Sequence, residues 1–403
     1  MDAVIGPGEP AAACAACGEP LTVRDRFCEG CGRPRTPAQV GRPRAPEPDG
    51  PPGAAEPGGP PRAAGPGWTA PLASVAYSAG ADPLTCADCG SAAIGPDGYC
   101  DTCGLRQPSG REHVEIEVAA PGGAFAAPIR AAGVSDRGLR RPRNEDAFAL
   151  ATLADTVCAV VCDGVASAPG SEEAARVAAE TAVAVLARRL AAGADARTAT
   201  RTAASRAGED VAALAGVVPA GAAPVPDSSP ACTYVSAIVG PGTVTIGWIG
   251  DSRAYWLPHS ARAPELLTRD DSWAVRMVAR GTMTEAAAWA DPRALLLTAW
   301  LGADAGTIDP HLASFEPAGP GLVLICSDGL WNDLPEAAGL AAVALDGPAP
   351  LADPLAAAGR LLRAALDAGG HDNVTAALIP FPPPHPTGPP PAAPAETSRE
   401  TRR

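Results

Sequence analysis

Apolar residues along this chain fall in short, nearly unbroken runs. Val157 to Val161 (VCAVV), Thr233 to Val239, Thr243 to Ile249, Ser252 to Leu257, Leu322 to Cys326 (LVLIC) and Val374 to Ile379 (VTAALI) are bounded by Gly, Pro or Asp and rich in β-branched residues. That pattern predicts buried strands. The Gly-Pro-Gly after Val239 predicts a tight turn, so residues 233–257 read as a three-stranded antiparallel meander. Between the strand runs the spacing becomes helical. Ser171, Glu172 and Glu173 start a helix, because a hydroxyl suits the cap and acids suit the positive end. Val183, Leu186 and Leu190 keep one apolar face until Gly193 stops it, and a second helix, about Ala196 to Ala215, follows with no strand between. Helices that arrive in pairs between antiparallel strands do not suit a doubly wound parallel sheet, where each strand is followed by one crossover helix. The expectation is an α+β sheet sandwich covered by helix pairs.

This patterned part runs from about Arg111 to Pro380 and alone is long enough for a sizeable core. Residues 37–83 hold 20 Gly or Pro in 47 positions and read as unpacked linker, and residues 381–403 read as a Pro-rich tail. On either side of the linker lies a repeat. Cys14, Cys17, Cys28 and Cys31 are spaced Cys-x2-Cys-x10-Cys-x2-Cys, and Cys86, Cys89, Cys100 and Cys103 repeat that spacing 72 positions later. Two such knuckles suit a tetrahedral four-thiolate zinc site; disulfides or unused thiols are the other reading. The segments 10–36 and 84–107 are expected to be zinc ribbons, each folding largely on its metal. Neither leaves an open coordination position, so their expected role is protein binding.

Asp146 precedes a strand-like segment, Asp163 and Asp328 end strands, Asp251 sits between two strands and Asp372 begins the last. Any one of these acids beside a small residue can simply close a turn. Five at the ends of separate strands can converge on one edge of a sandwich, where repulsion calls for hard divalent cations, magnesium or manganese rather than zinc. A formal net charge of -14 argues against gripping nucleic-acid phosphates. No apolar stretch reaches 18 residues and the first ten residues do not resemble an export signal, so a cytoplasmic protein without membrane contact is expected.

In order, the chain contains SDRGLRRPRNEDAF (Ser135 to Phe148), VVCDG (Val160 to Gly164), GDSRAYW (Gly250 to Trp256), LTRDDS (Leu267 to Ser272), LICSDGLW (Leu324 to Trp331) and GGHDNVT (Gly369 to Thr375). The series resembles the bacterial form of the metal-dependent protein phosphatases, the PPM family or type 2C Ser/Thr phosphatases. The resemblance implies a four-layer αββα fold over 111–380. It implies that Asp163 bridges two Mn2+ or Mg2+ ions, helped by the carbonyl of Gly164, with Asp328 and Asp372 completing the first ion's ligands. Asp146 and Glu145 would act through water, Asn373 would support the ligands from behind, and Asp251 with Asp328 would hold a third, weaker ion. Arg141 would grip the substrate phosphate, since a planar guanidinium can hold two oxygens. The implied reaction is hydrolysis of phosphoserine and phosphothreonine in proteins by a metal-bridging hydroxide, opposing a Ser/Thr kinase. A catalytically weak phosphate-binding adaptor, its function carried by the ribbons, is the alternative.

The chain departs from that family at Val165-Ala166-Ser167, where Met or His and two glycines are usual, and at Asp271, where His is common. Val165 has no proton to give a leaving group. Cys162 and Cys326 read as buried strand residues without a catalytic role, and His371 as a surface neighbour of Asp372. Residues 276–298 occupy the position of the family's variable flap. Trp289 and Trp300 read as core anchors.

Overall fold

The computed structural model divides into two compact units, Met1–Pro71 and Leu72–Arg403. The structure describes residues 12–13, 20–21, 89–93, 100–103, 110–119, 130–153, 155–216 and 229–381. In the first unit β1 (Ala12–Ala13) pairs antiparallel with β2 (Pro20–Leu21), on either side in sequence of Cys14 and Cys17. Those two cysteines, Cys28, Cys31, Cys86, the expected linker and residues 382–403 lie outside the described residues.

The second unit is built on two antiparallel sheets. One contains β3 (His113–Ala119), β4 (Arg130–Asp136), β10 (Arg253–Pro258), β11 (Glu265–Leu266), β14 (Gly321–Cys326) and β15 (Val374–Phe381), in the order β11-β10-β14-β15-β4-β3. The other contains β5 (Ala147–Leu153), β6 (Thr156–Cys162), β8 (Tyr234–Val239), β9 (Val244–Ile249) and β13 (His311–Phe315), in the order β13-β9-β8-β6-β5. A short pair, β7 (Ala231–Cys232) with β12 (Leu301–Gly302), lies apart from both. Helices α1 (Ser171–Ala191) and α2 (Ala196–Leu214) cover the five-stranded sheet. The six-stranded sheet carries α5 (Asp328–Trp331), α6 (Ala337–Ala344) and α7 (Pro354–Asp367).

The unbroken apolar runs now have their reason. In β6, Val157, Ala159 and Val161 face the other sheet, whereas Cys158, Val160 and Cys162 face α1 and α2. In β14, Val323 and Ile325 face inward, and Leu322, Leu324 and Cys326 meet the helices on the other side. A strand between two layers must be apolar on both faces, and each large side chain so buried contributes about 1.5–3 kcal/mol. The layers are therefore helix, sheet, sheet, helix, as the sequence leads one to expect.

The meander is corrected. β8 and β9 form the expected hairpin, with Val239 opposite Val244. The third strand, β10, leaves for the other sheet and pairs with β14, Arg253 opposite Cys326. The change of sheet occurs at Gly250, whose φ of +102° is one that L side chains resist and whose would-be Cβ would lie 2.8 Å from the Thr233 Cγ2 atom. Asp251 thus stands where the chain steps between the sheets. Two further readings change. Gly170, not Ser171, caps α1, because the Ser171 hydroxyl donates to Glu145 Oε1 at 2.7 Å. Asp328 opens α5 and does not merely end a strand.

Candidate active site

Asp163 follows β6, and its backbone N–H donates to Thr233 Oγ1 at 3.0 Å. Thr233 returns a backbone bond to the Asp163 carbonyl at 2.8 Å, and its hydroxyl meets the Ser252 hydroxyl at 2.7 Å. One threonine therefore ties the Asp163 turn to the sheet crossing that carries Asp251. Asp146, immediately before β5, accepts a hydrogen bond from the Ser327 hydroxyl at 2.7 Å, and Ser327 precedes Asp328. Asp328 accepts from Asn332 Nδ2 at 3.2 Å and lines the same cleft as Asp163. Asp372, just before β15, accepts from Arg141 Nη2 at 2.5 Å and from the Asn373 N–H at 2.8 Å. The acids expected at separate strand ends are thus brought together.

Asn373 is a latch between their loops. Its Oδ1 accepts from the Glu145 N–H at 2.8 Å, while its Nδ2 donates to the carbonyls of Arg137 and Arg143, both at 2.8 Å. Glu145 Oε1 accepts from Ser171 and from Arg143 Nε, each at 2.7 Å. Gly164 donates to the Glu145 carbonyl at 3.2 Å. Asp163, Gly164, Asp251, Asp328, Asp372 and Arg141 all line one cleft of about 620 Å³, which Glu145 and Asn373 also reach. Asp146 does not line it; it lies beneath, 2% exposed.

The electrostatics of this cluster are unfavourable without cations. Burial raises Asp146 to about 7, with Asp372 and Asp328 adding repulsion. Burial and then Asp328 and Asp270 raise Asp251 to about 8. Asp328 rises to about 6 through burial and Asp372. Asp163 is pushed well above the carboxylate range by burial and by Asp146, Asp328, Asp251 and Asp372. Asp146 Oδ1 is buried and has no hydrogen-bond partner. A set of oxygen donors that repel one another, with an orphaned carboxylate oxygen among them, fits hard divalent cations.

Several supporting residues were present in the motifs but had no assigned part. Arg253 Nε and Nη2 hold Asp270 at 2.9 and 2.8 Å, and the Arg253 guanidinium lies 3.5 Å from the Trp331 ring centroid. Trp331 Nε1 donates to the Asp251 carbonyl at 3.0 Å. Asp271, the departure in LTRDDS, accepts from the Gly250 N–H at 3.0 Å and pairs with His311 Nε2 at 2.8 Å, so its carboxylate braces the sheet crossing. An Arg and an Asp in adjacent motifs are a charge-pair signal, but nothing in sequence aligns them. His371 is exposed beside Asp333, and Cys162 and Cys326 are fully buried, as expected.

The flap region contains α3 (Trp273–Ala279) and α4 (Glu285–Trp289), joined by a small apolar cluster of Ala274, Ala288 and Ala294. Leu295, Leu296 and Leu297 line the cleft. Neither expected tryptophan anchor belongs to the core: Trp289 is 40% exposed, and Trp300 lines the cleft with its Nε1 donating to Asp304. In the cysteine repeat, Cys89, Cys100 and Cys103 bring their sulfurs within 4.8 Å of one another. Among the described residues, no helix is long and apolar enough to cross a membrane.

No curated protein gives a significant match to the chain. Solved structures with this arrangement include a serine/threonine phosphatase from Staphylococcus aureus, 23% identical with a TM-score of 0.52, covering 64% of this chain and 98% of that one. The S. agalactiae serine/threonine phosphatase is 21% identical with a TM-score of 0.50 over 62% and 98%, and a bacterial serine phosphatase is 23% identical with a TM-score of 0.51 over 62% and 96%. At such identities the likeness concerns the fold. The protein phosphatase 2C family model matches residues 139–364, more than half of the chain. That match spans β5 to β14, helices α1 to α6 and Asp146, Asp163, Asp251 and Asp328, and the chain belongs to the protein phosphatase 2C family, the metal-dependent protein serine/threonine phosphatases.

Proposed function

We propose that the cleft hydrolyses phosphoserine and phosphothreonine in proteins with two Mn2+ or Mg2+ ions, and that the enzyme opposes a Ser/Thr kinase. The supporting observation is the convergence of Asp163, Asp251, Asp328 and Asp372 with Arg141 on one cleft. Asp163, the Gly164 carbonyl, Asp328 and Asp372 would hold the ions, Asp146 and Glu145 would act through water, and Asp251 with Asp328 would take a third. Cations bound there would neutralise the acids and would supply an activated water for in-line attack on phosphorus.

The chain's own groups do the remaining work. Arg141 receives the phosphate: its guanidinium donates to Asp372 and is half-buried, so it enters the cleft already aimed. Asn373 fixes the loops bearing Arg143, Glu145 and Asp372, which holds donor and acceptor positions still while charge moves onto the phosphate oxygens. Val165 lines the cleft beside Gly164 and offers no proton, so the serine or threonine alkoxide takes its proton from water.

The organisation proposed with this activity is a zinc ribbon over 10–36, a linker over 37–83, a second ribbon over 84–107, the phosphatase domain over 111–380 and a tail over 381–403. The ribbons would each hold Zn2+ and dock protein partners in a soluble, cytoplasmic enzyme. The gathered sulfurs of Cys89, Cys100 and Cys103 support the second site.

Hydrolysis of a phosphothreonine peptide with manganese tests the enzyme. Activity in the wild type that falls by several orders of magnitude in Asp328→Asn is expected. An inactive wild type, or an unaffected variant, leaves the phosphate-binding adaptor as the reading.

A further inference from the structure

Beside the acids just described, the cleft contains a carboxylate that the phosphatase reaction does not use. Asp304 lines the cleft and is exposed. Its Oδ1 accepts two hydrogen bonds, from Trp300 Nε1 at 2.9 Å and from the Ser229 hydroxyl at 3.0 Å. Both donors are neutral and both address the same oxygen. Among the described residues, no Arg or His pairs with Asp304. The other acids of the cleft are provided for: Asp372 meets Arg141, Glu145 meets Arg143, and Asp163, Asp251 and Asp328 belong to the proposed cation cluster. Asp304 is left as a fixed negative charge facing substrate.

Trp300 is the second part. It is partly buried, lines the same cleft and is held by its indole N–H against the carboxylate. Gly302, in β12, lets the two close over the backbone. A Cβ there would lie 3.1 Å from Asp304 Oδ1, 3.2 Å from Trp300 Cδ1 and 3.1 Å from the Pro230 carbonyl. A side chain at this position would have to push its neighbours aside by a few tenths of an ångström, so the indole and the carboxylate pack directly over the Gly302 backbone. An aromatic face next to an unneutralised carboxylate is a receptor for a planar cation, which can stack on the ring while donating to the free Oδ2.

We propose that Trp300 and Asp304 form a subsite that takes an arginine side chain of the phosphoprotein substrate, close in sequence to the phosphorylated residue. The inference rests on the phosphatase reading of the same cleft and adds the class of sequence it prefers. Arginine suits the subsite better than lysine, because its guanidinium is flat, weakly hydrated and able to donate from its edge while its face is stacked. The gain is one of binding distant from the reacting phosphorus, so it falls mainly on KM.

The test uses the full chain with manganese and a set of phosphothreonine peptides in which one arginine is moved through the flanking positions, with glutamine at the same place as control. At one offset the arginine peptide should have a kcat/KM about 5- to 30-fold above its control, mostly through KM. That ratio should fall to near one in Asp304→Asn and in Trp300→Leu. Asp304→Lys should reverse the sign, preferring a peptide with glutamate at that offset. Each ratio is internal to one variant, so a change in overall activity does not alter the reading. Equal hydrolysis of arginine and glutamine peptides at every offset overturns the subsite while leaving the phosphatase intact, as does a preference that survives in Asp304→Asn. Hydrolysis of neither peptide by the wild type overturns both.

Discussion

Arg253 and Asp270 form a two-pronged ion pair beneath the sheet crossing, with Nε to Oδ1 at 2.9 Å and Nη2 to Oδ2 at 2.8 Å, and side chains only 13% and 4% exposed. The arginine lies on Trp331, which holds the Asp251 carbonyl. Replacing one member of such a pair strands the other as a buried charge. Asp270→Ala is expected to lose about 3–5 kcal/mol in denaturant unfolding and to lower activity through displaced Asp251. The double variant Arg253→Met, Asp270→Leu should recover much of the stability. A single variant as stable as the wild type would refute this account of the pair.

The acid cluster sets a pH dependence for the metal-free protein. An unfolded Asp titrates near 3.9, whereas Asp328, Asp146 and Asp251 sit at about 6, 7 and 8 in the fold. Because the folded state holds these protons more tightly, its stability is fullest below about pH 4 on their account. It is lost progressively as pH rises from about 4, and the loss is complete once the folded carboxyls have ionised at about 6 to 8. Thermal unfolding in a chelator should show Tm falling across that window, and added manganese should flatten the fall. A metal-free Tm that rises from pH 5 to pH 8 would contradict the burial of these carboxyls.

Arg141 donates to Asp372 at the cleft, and its geometry matters as much as its charge. Arg141→Ala should reduce kcat/KM on the order of 10²-fold, the scale of one lost donor to a charged transition state. Arg141→Lys should recover only a small part, because a single ammonium cannot span two phosphate oxygens. Steady-state kinetics with a phosphothreonine peptide decide it; full activity in the lysine variant would mean that positive charge alone suffices.

Cys89, Cys100 and Cys103 already gather their sulfurs. The full chain should bind two zinc ions, and Cys100→Ser should bind one fewer by elemental analysis. Undiminished zinc in that variant would remove the second ribbon from the proposal.

Gly250 turns the chain from β9 to β10 at φ +102°, against Thr233. Gly250→Val should cost about 1–3 kcal/mol and reduce activity, since the strain sits between Asp251 and the threonine that holds Asp163. Denaturant unfolding and peptide hydrolysis should move together. Retained stability would show that the crossing tolerates a side chain.

Much of the fold was legible because it is written in local pattern. Runs such as VVC before Asp163 and LVLIC before Ser327 are apolar at every position, which only strands covered on both faces require. The helix pair 171–191 and 196–214 announced itself by spacing, and Gly193 by its φ of +83° justifies the stop. The site acids were legible for a related reason, since Asp at the ends of several apolar runs must meet wherever those strands end together. The third strand was misplaced because β10 is apolar on both faces, and either sheet would satisfy it.

By itself, then, the sequence determined the layers, the ends of the strands and the identity of the acids, because burial and turning act on neighbours in the chain. Tertiary structure decided which distant groups meet. It set Ser171 on Glu145 rather than on its own helix, joined Arg253 to Asp270, and drew Trp300 out of the expected core to the cleft beside Asp304. A side chain's partner depends on where two separate segments cross in space, and that crossing exists only when all the layers are packed.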